Sequence, residues 1–432
     1  SCVEKVTIIQ GIVVGGLEEK PVRYGDIIYD GNIVSYTDAK GRFSFEIPGN
    51  VSRVAVTFTD SYQKEFEEGT KIFLVSTGSS EFHKITLKQI PPPISFDARQ
   101  QQDISLRSDP KIESFADLEL PEESFLTEDG SVFRGNAKAI VSVTDSRNLS
   151  DVLSAPGDFT TTDEEGEEEI LETFGMMKMK FEDENGKQLA MSKPMKVYLD
   201  PEKLNIRVQD SPSVPMKLYW LDEKTQRWRE AGDLRREDGN QRRRKRSNRV
   251  FFVGTITPAV ARHQLNFDLP DTRVAIRVTT DPPKAGVVVR VVRREGTVYR
   301  GYIEQSTTSA GLTCIPIWRN KECSLQAESN GKYMMPVQRN VDSLPQYLGA
   351  RIEERSGDRG GQTIRWIEFT SRLDESSPLN SPMYKHVEAE ENKCKSSQNR
   401  PEGSQFTFGE SARAPEDFSI FNIYNQGSWI PR

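Results

Sequence analysis

Histidine is scarce in this sequence: 432 residues contain only His83, His263 and His386, and none of the three has a metal-ligand spacing. Histidine is the usual general base near neutral pH and the commonest zinc ligand, so its shortage argues against hydrolase chemistry, although carboxylates or lysine could serve instead. The GxGxxG, P-loop and GxSxG motifs are also missing. The sequence therefore predicts no catalytic residue, no metal site and no cofactor.

Long apolar runs and a strongly basic region are absent as well. No stretch of about 18 apolar residues occurs, so we expect no membrane-spanning segment. Residues 1–246 carry 34 Lys and Arg against 44 Asp and Glu, and residues 247–432 carry 24 against 21. Neither part has the basic excess of a nucleic-acid-binding protein. The chain opens at Ser1 without an initiator Met or a signal-peptide pattern, so we expect a mature or internal piece of a longer precursor.

Short β-branched runs separated by turn residues dominate what is present. Val6–Val14 is such a run, Asp30-Gly31 is a hairpin signal, and Arg42–Ile47 alternates polar and apolar residues. About seven such strands in the first ninety residues are typical of an immunoglobulin-like or prealbumin-like sandwich. Because no long helical period competes, we predict an all-β fold of tandem antiparallel β-sandwich domains, joined by polar and partly disordered linkers.

Changes in composition divide the chain into six predicted segments. They are a prealbumin-like β-sandwich over 1–90, a linker over 91–123, a second β-rich domain over 124–240, a basic processing loop over 241–248, a third β-rich domain over 249–330, and an irregular, partly disordered region over 331–432.

The basic run Arg242–Arg246 is the sharpest local motif. Arg243, Lys245 and Arg246 fit the pattern that furin-like convertases cut, and loop residues surround the run. We therefore predict cleavage between Arg246 and Ser247. A nuclear-localisation signal or a heparin-binding patch is the alternative interpretation of such a run.

Four cysteines, Cys2, Cys314, Cys323 and Cys394, are candidates for disulfide bonds. Cys314 and Cys323 flank a short loop, and closing it would stabilise the fold by about 2.5–3 kcal/mol in the chain-entropy model. Cys2 could pair with Cys394 or with a cysteine outside this sequence. Reduced core thiols or a zinc site are alternatives, but a zinc site is disfavoured because CxxC pairs and nearby histidines are missing.

Two sequons predict N-linked glycans at Asn50 and Asn148. Asn50-Val-Ser52 lies beside a Pro-Gly turn, and Asn148-Leu-Ser150 follows a predicted strand. Both fall in predicted loops, where a glycan must lie. With the cysteines, they favour an extracellular location.

Several collinear segments resemble the cartilage intermediate layer protein family. In chain order these are Gly130–Gly135, Ser154–Asp158, Thr173–Met176, Met216–Glu230, Arg249–Gly254, Leu265–Arg273 and Gly311–Pro316. The resemblance covers roughly residues 1–330 and continues more faintly beyond them. The turn Thr37–Phe43 also resembles the carboxypeptidase-regulatory, prealbumin-like domain of that family.

The resemblance implies a secreted glycoprotein of the extracellular matrix whose precursor a convertase splits into two products, and Arg246 falls at that family's processing position. It also implies matrix components as partners, and growth factors of the transforming and insulin-like types whose signalling is restrained. The family's thrombospondin-like and immunoglobulin-like modules, and the distal part of its C-terminal region, do not occur in this sequence.

A nucleotide pyrophosphohydrolase after Ser247 is the alternative function, because the family's C-terminal product once carried that name. Such chemistry usually needs two metal ions held by several Asp and His residues. Only His263 and His386 are available there, and neither is flanked by a carboxylate cluster. We therefore expect a non-enzymatic protein.

Overall fold

A computed structural model describes residues 6–166, 168–206, 216–238, 250–271, 273–318, 321–336, 353–359, 362–370 and 406–409. These ranges contain 32 strands, β1–β32, and one short helix, α1 (Leu149–Ser154). The predicted all-β fold with several antiparallel sheets is confirmed.

Two four-stranded sheets form the N-terminal unit. The first contains β1 (Val6–Gly15), β2 (Lys20–Pro21), β5 (Arg42–Pro48) and β8 (Ser80–Leu87), and the second contains β3 (Asp26–Tyr29), β4 (Asn32–Tyr36), β6 (Arg53–Phe58) and β7 (Gly69–Leu74). Phe43, Phe45 and Ile47 of β5 are buried between the sheets, because alternate residues of a strand face one side. In these two sheets, the strand pairs are antiparallel except β1 with β8, which is parallel.

Sheets of five and nine strands form the second unit. The five-stranded sheet has the order β10 (Gln102–Leu106), β11 (Ala116–Leu120), β17 (Met195–Leu199), β21 (Val250–Ile256), β20 (Arg235–Asp238). The nine-stranded sheet has the main order β12 (Phe125–Leu126), β16 (Gln188–Met191), β15 (Glu168–Asp183), β22 (Leu265–Asp271), β18 (Lys217–Asp222), β19 (Arg227–Asp233), and it also contains β9 (Ile94–Asp97), β13 (Asn136–Thr144) and β14 (Thr160–Thr162). One hydrophobic core connects the two sheets.

Two predicted domain boundaries differ from this arrangement. Residues 91–123, expected to be a linker, contain β9, β10 and β11, and Ile104 and Leu118 lie fully in the core. The polar residues that alternate with these apolar ones gave the segment its linker-like composition. Residues 250–271, assigned to the third domain, supply β21 and β22 to the second unit.

The third unit combines six-stranded and four-stranded sheets. The six-stranded sheet contains β24 (Val288–Glu295), β25 (Val298–Ser306), β27 (Glu322–Ser329), β28 (Lys332–Tyr333), β30 (Glu353–Arg359) and β31 (Gln362–Thr370), and the four-stranded sheet contains β23 (Arg273–Asp281), β26 (Leu312–Trp318), β29 (Met335–Pro336) and β32 (Phe406–Gly409). Strands β28–β32 lie in the region predicted to be irregular. Strand β32 pairs with β23 in parallel.

The largest buried side chains of the third unit share a core with the other two units. Trp318 and Val289 belong to the same cluster as Trp228 of the second unit and Ile72 of the N-terminal unit. Tandem sandwiches joined only by linkers would keep their cores separate. Here the junctions themselves are packed and hydrophobic.

Candidate functional site

The predicted processing residues lie outside the described residues, but the structure describes the strands on both sides of them. Arg243, Lys245, Arg246 and Ser247 all fall in the connection 239–249. This connection joins β20 to β21, which are antiparallel neighbours with Asp238 opposite Val250. Strand β20 is the last strand of its sheet among the described residues. The basic run therefore connects adjacent ends of two paired strands rather than two separate domains.

The two strands that follow the basic run are inserted into sheets built by residues that precede it. Strand β21 lies between β17 and β20, with Val253 opposite both Tyr198 and Arg235. Strand β22 lies between β15 and β18, with Asn266 opposite Met176 and Tyr219. Each inserted strand thus has hydrogen-bonding partners on both sides that come from the other side of the basic run.

Strand β22 also carries a buried polar cluster. The Thr173 hydroxyl donates to Asn266 Oδ1 at 2.6 Å, and Asn266 Nδ2 donates to Asp268 Oδ2. Both Asn266 and Asp268 are completely buried. Burial raises the pKa of Asp268 well above its usual value, and the neighbouring Thr173 offsets this only in part.

A buried network of charged side chains joins the N-terminal unit to the third unit. His83 Nε2 lies 3.0 Å from Glu81 Oε2, and His83 Nδ1 lies 3.7 Å from Glu304 Oε2. Burial alone would lower the pKa of His83, but hydrogen bonds to Glu304 and Glu81 raise it above the usual value. The imidazole thus lies between two carboxylates, one from each unit, and both favour its protonated form.

Arg290 extends the network on the third unit's side. Its guanidinium donates to Glu304 Oε1 at 2.6 Å and to Glu328 Oε1 at 3.1 Å. Burial would raise the pKa of Glu304, but Arg290, Lys71 and His83 together hold it well below the usual value. Each basic side chain of the network lies beside an acidic one, which is the condition for burying charges without a large penalty.

A cavity of about 260 Å³ lies beside this network, where the three units meet. Lys71, Arg147, Arg290 and Glu304 line it together with apolar side chains. Lys71 Nζ contacts the Tyr302 hydroxyl and lies 4.3 Å from the centre of the Tyr302 ring, and burial lowers the pKa of Lys71 to about 8. The cavity is slightly smaller than ordinary ligand pockets, which measure roughly 300–1,000 Å³. It has room for water or a small polar molecule.

The predicted disulfide between Cys314 and Cys323 is wrong. Cys314 is disulfide-bonded, whereas Cys323 is a free thiol with 1 % of its surface exposed. The two lie on β26 and β27, which belong to different sheets, so their closeness in sequence does not bring the thiols together. Burial raises the pKa of Cys323 to about 12. Cys2 and Cys394 lie outside the described residues.

The two sequon asparagines differ in their surroundings. Asn50 is exposed in the turn after β5, as its sequence context predicts. Asn148 is half-buried and caps the N-terminus of α1, where its Oδ1 accepts from the backbone N–H of Ser150 at 2.9 Å. The side-chain nitrogen that would carry a glycan is not the capping atom. Both glycans stay predictions.

The scarcity of histidine does not identify the charged network. Its local signal is Glu81, which lies two residues before His83 on the same face of the strand. Glu304 is too distant in sequence to be linked to His83 by any local pattern. Among the described residues, no group of three or more His, Cys, Asp or Glu is placed to hold a metal ion. Nor does the described part of the chain contain a helix that could cross a membrane.

Comparisons with known proteins agree with the motifs found in the sequence. Residues 3–90 match the model of the cartilage intermediate layer protein 1-like domain. Mouse cartilage intermediate layer protein 1 is 34 % identical over 305 residues, which are 68 % of this chain and 25 % of that protein. The human protein of the same name is 33 % identical over 63 % of this chain and 22 % of its own length.

Human cartilage intermediate layer protein 2 matches a longer part of the chain, at 26 % identity over 89 % of it and 36 % of that protein. The chain thus spans about a quarter to a third of the length of these relatives. Among solved structures, the Bacillus anthracis TIE protein aligns with 78 % of this chain and 46 % of its own at 9 % identity, but the TM-score of 0.17 is too low to inform the fold. The predicted resemblance to the cartilage intermediate layer protein family is confirmed.

Proposed function

We propose that this chain is part of a secreted extracellular matrix glycoprotein that acts without catalysis, as a structural and binding scaffold. The observation that carries this proposal is the 34 % identity to a cartilage intermediate layer protein over 305 residues. Stacked β-sheets with shared cores suit a protein that must keep its shape outside cells. Matrix components are the expected partners.

A convertase cuts this protein between Arg246 and Ser247. The match of Arg243, Lys245 and Arg246 to the convertase pattern supports this step. The position of the connection at the end of two paired strands is compatible with it, because such a connection can be cut without breaking a ladder of hydrogen bonds. Glycans at Asn50 and Asn148 belong to the same secreted form.

Restraint of signalling by growth factors of the transforming or insulin-like types is the more specific role that we propose. Its support is the family resemblance. Direct binding of such growth factors to the secreted chain tests this role. Absence of binding would remove it and leave the structural role in place.

The processing step is tested by secreting the chain from cultured mammalian cells and sequencing the N-termini of the product. We expect a new N-terminus at Ser247. The variant Arg246→Ala should block scission, whereas Arg244→Ala, which removes the same charge at the variable position of the pattern, should still be cut. An uncut wild-type chain, or equal loss of cutting in both variants, would contradict the proposal.

A single assay separates the scaffold from the alternative enzymatic function. The purified secreted chain is incubated with a nucleoside triphosphate and a divalent metal ion, and pyrophosphate release is measured. We expect no release above that of a heat-denatured control. Metal-dependent release would reverse the assignment in favour of a nucleotide pyrophosphohydrolase after Ser247.

A further inference from the structure

We infer that cutting the connection 239–249 does not separate the two products, because each supplies strands and core side chains that complete the other. This inference rests on the proposed processing step for its biological setting. Its physical basis is independent of that step, because it depends only on the described residues on either side of the connection. The partner of each product is therefore the other product.

Strand insertion is the first reason. The C-terminal product, as defined by the cut, begins shortly before β21 and β22, and both strands have neighbours from the N-terminal product on both sides. Removing β22 would leave β15 and β18 without the partner that joins them, and their backbone groups would lose hydrogen bonds inside a sheet. Unpaired backbone groups in a buried position are strongly unfavourable.

Shared hydrophobic burial is the second reason. Leu265 and Phe267 of β22 are completely buried in a core whose other members come mostly from residues before the cut. In the neighbouring core, Trp318 is also completely buried, and its indole N–H donates to the Leu171 carbonyl at 2.9 Å. Separation would expose these side chains, together with the surfaces that cover them, to water.

Buried charges that pair across the cut are the third reason. Arg293 Nε lies 3.2 Å from Glu172 Oε1, and both side chains are buried. Arg300 donates to the Leu204 carbonyl at 2.7 Å, and its side chain is completely buried. On separation, groups such as Glu172 would lose partners that compensate their burial.

The N-terminal unit is joined to the C-terminal product as well. The Ser76 hydroxyl donates to the Ser306 carbonyl at 2.9 Å, and the Ser76 backbone N–H donates to the Ser306 hydroxyl at 3.0 Å. His83, between Glu81 and Glu304, adds an ionic contact to the same junction. Direct contacts across the cut therefore involve all three units.

The inference is tested on the secreted chain with an N-terminal affinity tag and a C-terminal epitope. In a second version, residues 242–246 are replaced by the recognition sequence of an unrelated site-specific protease. This replacement ensures that the connection can be cut even where a convertase leaves the native sequence intact. After scission, both versions are bound through the N-terminal tag under native conditions with a reductant, so that no disulfide can hold the fragments together.

We expect the C-terminal fragment to stay on the resin in equal amount with the N-terminal fragment and to be released only by denaturant. A denaturing gel shows separately whether the chain was cut. If a convertase cuts the native chain but the C-terminal fragment washes away without denaturant, the inference is wrong and the processing step stands. If a convertase leaves the native sequence intact while the substituted version is cut and retained, the processing step is wrong and the inference stands.

Discussion

Replacing Phe267 by Ala should weaken the association of the cut products without affecting the chain's surface. Phe267 lies on β22 opposite Leu218 of β18 and has no exposed surface. Deleting a fully buried phenylalanine side chain costs about 3–5 kcal/mol, because the transfer energy is lost and a cavity is left. In the cut protein this cost falls on the association equilibrium, since the core around Phe267 forms only when both products are present.

The expected effect is large enough to measure directly. With about 1.4 kcal/mol per tenfold change, 3–5 kcal/mol corresponds to a dissociation constant higher by roughly two to nearly four orders of magnitude. Because interface substitutions act mostly on the dissociation rate, we expect that rate to rise by a similar factor. The measurement is the loss of the C-terminal fragment from the immobilised N-terminal fragment at a fixed, moderate urea concentration.

The control is Tyr36→Ala on β4, which removes an aromatic side chain that is 59 % exposed and distant in sequence from the cut. This variant should lose its C-terminal fragment at the wild-type rate, since surface substitutions usually change stability little. Equal dissociation rates for Phe267→Ala and Tyr36→Ala would refute the reasoning, because the buried strand would then contribute nothing to holding the products together.

Three further predictions concern buried titratable groups. The pKa of His83 is raised in the folded state, so its contribution to stability is present below the unfolded pKa and is lost as pH rises through the folded pKa. Urea unfolding measured as a function of pH should show this loss of stability, and His83→Gln should flatten the pH dependence. The control His263→Gln should not flatten it, since the pKa of His263 is lowered, chiefly by burial. Burial raises the pKa of Asp268, so stability falls as pH rises from the unfolded to the folded pKa. Asp268→Asn should therefore raise the melting temperature at neutral pH but not at pH values below the unfolded pKa. The control Asp233→Asn, at an exposed position, should leave the melting temperature unchanged at both pH values. Cys323 should resist alkylation in the native state and react after unfolding, because the thiol is buried and its pKa is raised to about 12. Mass spectrometry measures the extent of alkylation in each state. Rapid labelling of the native protein would contradict the burial of Cys323.

Local patterns in the sequence were sufficient to predict individual strands and turns. The alternation in Arg42–Ile47 predicts β5, whose apolar residues are indeed buried. The Asp30-Gly31 pair predicts the hairpin between β3 and β4, and both residues have positive φ, 49° and 73°, as a tight hairpin turn of this type requires. These features depend on residues that are near one another in the chain.

Contacts between distant residues could not be predicted in the same way. The insertion of β22 between β15 and β18 pairs Asn266 with Met176, and no single-sequence pattern encodes which strands become neighbours. His83 and Glu304 come together only because the N-terminal and third units pack on each other. The Cys314–Cys323 prediction failed for the same reason, since spacing along the chain says nothing about the sheet to which each strand belongs.

The place of β22 in its sheet also fixes an order of events during biosynthesis. The ribosome releases β15 and β18 before β22, so the nine-stranded sheet stays incomplete until Asp271 has been translated. A cut made before that moment would turn the completion of the sheet into an encounter between two separate chains, with incomplete strands exposed to aggregation in the meantime. Scission after folding avoids this hazard. Under the proposed processing step, the timing of the protease, as much as its specificity, therefore decides whether the nine-stranded sheet is complete.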